Sequence, residues 1–83
     1  MKETISLDYP VELSGRGKMS TIQIRRAKVR DLEVIDRYES EAARTLHLIS
    51  HLSEWTPEEV RELDVVDYKK ISNKVADFLG IAP

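Results

Sequence analysis

With 83 residues, no cysteine and a formal net charge of −2, the chain can form neither a disulfide framework nor a thiolate metal site. A length of this order predicts one domain, residues 1–83, with a thin core that buries only about 60 to 65% of the surface exposed on unfolding. Its stability margin is therefore small, and binding a partner or a second copy of itself is a physically reasonable way to widen it. No run approaches the roughly twenty apolar residues that cross a bilayer, and the first four residues lack the apolar core of a signal peptide. The expectation is a cytoplasmic protein without membrane contact.

Ile5, Leu7 and Tyr9 alternate with Ser6 and Asp8, the period-two pattern of a strand with one buried face. Pro10 has no N–H to give a ladder and should end or displace it, leaving Val11 and Leu13 on an irregular edge. Ser14-Gly15-Arg16-Gly17-Lys18 reads as a turn, because two glycines can adopt positive φ. A second strand from Met19 to Arg25 follows, with Ile22 and Ile24 on one face, and the two strands pair most simply as an antiparallel hairpin. Gly15-Arg16-Gly17 lacks the third glycine and the immediate helix of a phosphate-binding loop.

Between Arg25 and Arg30 stand four cations and no acid: Arg25, Arg26, Lys28 and Arg30. They could contact phosphates or face an acidic protein surface, where charge mainly raises the association rate. Net acidity and the lack of interleaved aromatics argue against nucleic acid. Asp31–Tyr38 is a short helix candidate with Leu32, Ile35 and Val34 inward. Glu39–Trp55 carries the longest single periodicity, with Ala42, Leu46, Ile49 and Leu52 as its apolar stripe and Ala43, Leu48 and Trp55 widening it. The pattern leaves open whether these two helices are continuous or break at Ser40.

Thr56-Pro57-Glu58-Glu59 is a capping box with proline at the first helical position, so a short helix should run to about Leu63. Asp64-Val65-Val66-Asp67 offers a further cap to a last helix ending near Leu79, with Tyr68, Ile71, Val75, Phe78 and Leu79 inward and Gly80 as a left-handed cap. Alanine at Leu46 or Phe78 is expected to cost about 2 to 5 kcal/mol as a core truncation.

Chemistry is sparse. His47 and His51 lie one helical turn apart, but Leu48 occupies the place of the glutamate in a His-Glu-x-x-His zinc motif, so no metal site is expected. The acids from Glu54 to Asp67 are largely explained by caps and first-turn charge, and no apolar pocket can be inferred that would split their pKa values for acid–base catalysis. No catalytic residue and no cofactor are expected, and the chain does not read as an enzyme.

Leu7, Pro10, Gly15, the Ile22-Gln23-Ile24-Arg25-Arg26 strand, Asp31, Leu46, Leu63, Asp67-Tyr68 and Phe78 together span nearly the whole chain. In this arrangement it resembles the small tail assembly chaperones of contractile-tailed phages, the Mu-like "E, or 41 or 14" family, with Ala27 departing from the proline expected before the helix. The resemblance implies a non-catalytic virion-assembly factor in the bacterial host cytoplasm. Such a factor would bind the tape measure protein and keep it soluble while tail-tube subunits polymerise. It also implies a longer form of the same chain, made by translational frameshifting, as a further partner.

The expected fold is α+β, a two-stranded N-terminal antiparallel hairpin followed by a bundle of three or four helices. Expected partner-binding residues are those left over once a thin core is filled: Tyr9, Val11 and Leu13 on the irregular edge, Leu48 and Trp55 on the flank of the long helix, and the Ile81 tail. Trp55 would be the anchor, and Arg25, Arg26 and Arg30 the charged rim. The runner-up is a small regulatory or nucleic-acid-binding protein using the basic corner Arg25–Arg30.

Overall fold

A computed structural model describes residues 2–78 of the chain. Six elements follow one another: β1 (Lys2–Leu13), β2 (Gly17–Arg25), α1 (Val29–Ile35), α2 (Glu41–Ser53), α3 (Pro57–Arg61) and α4 (Val65–Phe78). The fold is α+β, an antiparallel hairpin followed by four helices, as the residue pattern predicts. The expected end of the last helix at Leu79, its Gly80 cap and the Ile81 tail lie outside the described residues.

The hairpin turns where Gly15 and Gly17 hold φ of 80° and 79°, a left-handed conformation that a Cβ would strain. Arg16 N–H closes the turn on the Leu13 carbonyl at 3.0 Å. Pro10 does not end β1. Instead the register shifts between Ser6, opposite Thr21, and Val11, opposite Met19, so residues 7–10 face Ser20 alone. A bulge is where a strand tolerates a residue with no N–H. Alternation therefore fails at one position: Ile5, Leu7 and Leu13 are buried, but Tyr9 is 56% exposed.

The buried face of the hairpin presents Ile5, Leu7, Ile22 and Ile24, while Thr4, Ser6, Thr21 and Gln23 stay in water on the other face. Against it pack Leu48, Ile49 and Leu52 of α2, Val60 of α3, and Ile71 and Val75 of α4. The stripe of α2 is rotated from the expected one. Ala42 is exposed and Leu46 only half-buried, whereas Leu48 lies in the core.

Local chemistry sets the helix ends. Ser40 is extended, with φ of −85° and ψ of 145°, and its side chain accepts from Ala43 N–H, so α1 and α2 are separate helices. Glu54 closes α2 in the left-handed region at φ 65° and gives its N–H to the Ser50 carbonyl. This reversal swings Trp55 back onto the helix, where the Ser50 hydroxyl binds its carbonyl at 2.6 Å and the ring is 3% exposed. The capping box of α3 forms as the sequence predicts: Glu59 N–H donates to Thr56 Oγ1 at 3.1 Å, and Thr56 N–H donates to Glu59 Oε1 at 2.9 Å. Asp64 starts α4 by accepting from Val66 N–H at 2.9 Å.

Helix α1 is the least embedded element. Its one fully buried side chain is Asp31, and Leu32, expected inward, is exposed together with Val29. A helix of seven residues has only two turns with which to choose a face, and here the buried acid takes that choice.

Truncations should follow this burial. Ile49→Ala or Ile71→Ala is expected to cost about 2 to 5 kcal/mol and Trp55→Ala about 3 to 5 kcal/mol, while the half-buried Leu46 and Phe78 should cost about 2 kcal/mol or less. Urea denaturation of these five variants tests that ranking, and a Leu46→Ala loss as large as that of Ile49→Ala would contradict it.

Candidate partner-binding surface

Two buried carboxylates, Asp31 and Asp67, fasten the helices to the hairpin. Asp31 at the start of α1 receives both terminal nitrogens of Arg25, each at 2.9 Å, and the Lys28 N–H at 2.7 Å. His51 of α2 brings Nε2 to 3.5 Å of the same carboxylate. A bidentate guanidinium–carboxylate pair is strong and directional, so β2, α1 and α2 meet at one point. The Arg25 hydrogen bonds outweigh the effect of burial and hold the Asp31 pKa down at about 2. The same bonds raise that of Arg25.

The second clamp is Asp67 in the first turn of α4. Its two oxygens accept the N–H groups of Asp8 and Tyr9 at 2.8 and 2.9 Å, donors that lie in the β1 bulge. Lys70 stands 3.6 Å from Asp67 and 3.3 Å from Asp8, and also donates to the Ser6 carbonyl at 2.8 Å. Burial alone would push the Asp67 carboxyl up, but these two N–H groups and the Lys70 ammonium together hold it below the usual carboxylate value.

Several expected surface residues are not at the surface. Trp55, Leu48 and Leu13 are buried in the core, because the left-handed turn at Glu54, the rotation of α2 and the resumed ladder after the bulge each direct them inward. Arg25 belongs to the Asp31 clamp rather than to a free rim. Tyr9 is exposed and Val11 half-buried. Arg26 is exposed and lies over the Phe78 ring at 5.3 Å, and Arg30 is exposed without an ion-pair partner among the described residues.

The periodicity gave no sign of the other exposed apolar side chains. Val65 and Val66 in the first turn of α4 are exposed, as are Val29 and Leu32 on α1. One clue to Asp31 was legible: an acid three residues after Lys28 has the spacing at which a side chain reaches back to the N-cap N–H. A cleft of about 330 Å³ opens between α1, α2 and α4, lined by Ile35, Leu48, Val75 and Ala76 with Glu41 and Arg44 at its lip. His47 stacks on Tyr38 at 4.0 Å and His51 faces Asp31, so the two histidines are committed to separate neighbours. Among the described residues no three His, Asp or Glu side chains are grouped to hold a metal ion. No helix among them is long and apolar enough to cross a membrane.

The arrangement offers exposed apolar side chains on backbone fastened by two buried carboxylates. The two clamps also give the fold an acid limb. Both carboxylates have folded pKa values below their unfolded ones, so their stabilisation is present above the unfolded carboxylate range and is lost as pH falls through it, for Asp31 down to about 2. Asp67→Asn is expected to cost about 1 to 3 kcal/mol at neutral pH, since an amide supplies one acceptor oxygen for two N–H donors. It should also flatten the loss of melting temperature on acidification through the carboxylate range. An acid profile identical to the unaltered chain would show that Asp67 is not a clamp.

Comparison with known proteins bears on what this surface is for. No curated protein and no solved structure matches the chain at a significant level. A family model described as phage tail assembly chaperone proteins, E, or 41 or 14, matches residues 4–80. The match takes in all six elements except the first two residues of β1, and the chain belongs to that family of phage tail assembly chaperones.

Proposed function

We propose that this chain is a non-catalytic chaperone that binds the tape measure protein in the host cytoplasm and keeps it soluble while the tail tube assembles. The observation that carries the reading is the set of exposed apolar side chains, Tyr9, Val29, Leu32, Val65 and Val66, in a member of a tail assembly chaperone family. A long helical protein with apolar stripes needs a surface that is shallow, apolar and releasable. Tyr9 and Val11 are the parts of the expected site that remain available for it, with Arg26 and Arg30 as cationic contributors to encounter. A longer form of the chain would present the same faces and is a further partner under this proposal.

Nucleic-acid binding through the basic corner has less support. Arg25 is held by Asp31, which leaves Arg26, Lys28 and Arg30 of the corner for phosphate contacts, without an aromatic residue among them to stack on bases.

Co-expression with the tape measure protein should yield a complex and move that protein into the soluble fraction. Arg26→Glu with Arg30→Glu should slow association by roughly tenfold at low salt and leave dissociation nearly unchanged, as expected for charges that steer encounter. Stopped-flow binding reads both rates. Recovery of neither a complex nor added solubility would refute the proposed function.

A further inference from the structure

We infer that the ridge of α1 carrying Val29 and Leu32, together with the groove between α2 and α4, forms one self-complementary face through which two copies of this chain pair about a two-fold axis. The inference is independent of the chaperone reading. Val29 and Leu32 are 76% and 44% exposed, and with Ile35 they recur at every third position of α1. Residues three apart on a helix are neighbours along one ridge. Ile35 is where this ridge meets the groove, because it lines the cleft of about 330 Å³ together with Leu48, Val75 and Ala76. Val34 stands about 100° round the helix from Ile35, on the opposite flank.

The groove continues beyond that cleft. A second hollow of about 320 Å³ has Ala42, Thr45, Tyr68 and Ser72 in its lining, and the two share Glu41, Thr45 and Ser72. From Tyr68 to Ala76 α4 advances about 12 Å, a little over two turns, which matches the two turns of α1. The floor is apolar, from the buried Leu48 and Val75. Ala42, Thr45, Ser72 and Ala76 on the walls are small, so another helix can approach closely.

An apolar ridge beside an apolar groove of matching length suits an isologous pair, since half a turn sets the ridge of each copy into the groove of the other. Charge then fixes the direction. The start of α1 carries Lys28 and Arg30 and its end carries Glu33 and Asp36, whereas the groove lip runs from Glu41 to Arg44. None of these six is in an ion pair among the described residues, and Arg44 uses only its Nε, on the Tyr38 carbonyl. With α1 of the second copy running in the direction of α2, cations meet Glu41 and acids meet Arg44. Asp67 and the Tyr9 backbone it fastens lie across α4 from this groove, so pairing leaves that side to another partner.

Sedimentation velocity over a concentration series tests this. The unaltered chain should pass from monomer to dimer and no further, because a two-fold contact closes. Val29→Ser with Leu32→Ser should raise the dimer dissociation constant at least about tenfold, since each copy gives up two apolar side chains. The melting temperature of the dilute monomer should not change. Ser72→Arg should weaken pairing equally from the groove side. Mixed together, these two variants should form a heterodimer more readily than either pairs with itself, because one intact ridge meets one intact groove. Should Ser72→Arg lower the melting temperature, surface charge reads the same contact: Glu33→Lys with Asp36→Lys should weaken pairing, and Arg44→Glu in the same chain should restore it.

A chain that stays monomeric, a serine variant that pairs as the unaltered chain does, or the absence of both heterodimer and charge rescue would overturn the assignment. A monomeric chain whose serine variant fails to solubilise the tape measure protein would give this face to that partner instead. The chaperone reading fails separately, if the unaltered chain does not solubilise that protein.

Discussion

When the β1 ladder opens at Pro10, two consecutive backbone N–H groups lose their cross-strand partners against the body of the protein. Leaving such donors buried and unpaired costs about 1 to 3 kcal/mol each, a large fraction of the stability of so small a domain. Asp67 meets both with one carboxylate. This single side chain allows the bulge, and the bulge in turn sends Tyr9 outward while Leu7 and Leu13 stay in the core. It also ties the C-terminal helix to the N-terminal strand across nearly the whole length of the chain.

Asp31 does the equivalent work at the other junction, joining the end of β2 to α1 and drawing His51 of α2 alongside. The two acids are the only buried polar or charged side chains among the described residues. All buried side-chain nitrogen and oxygen atoms there have hydrogen-bond partners, which is the condition for a buried charge to be tolerable. Their pKa values are pushed down, toward permanent ionisation. A general acid near neutrality needs the opposite shift, so the chemistry of these carboxylates is that of fasteners.

The consequence for function is a division of apolar residues. Ile22, Ile24, Ile49, Ile71 and Trp55 are spent on a thin shared core between hairpin and helices, and α1 and the first turn of α4 keep theirs in water. Under the proposed chaperone function this division is useful, because the exposed apolar residues would make shallow contacts while nearby backbone is pinned by charge-assisted hydrogen bonds. Binding then need not order the surface first, which is a main cost of recruiting flexible segments.

What could be read without coordinates was local. The turn at Gly15 and Gly17, the capping box at Thr56 and Glu59 and the strand of Ile22 and Ile24 all follow from chemistry within four or five residues, and a hairpin followed by three or four helices is what such signals add up to. Tertiary structure alone decided which leftover apolar residues face water. Trp55 is inward because a non-glycine residue, Glu54, takes a left-handed conformation, and Tyr9 is outward because a carboxylate 58 positions away satisfies the bulge. Arg25 is locked because Asp31 is buried beside it. The first two depend on a rare backbone state and on a distant partner, the third on the burial of an acid six residues away, and none of these leaves a period in the sequence.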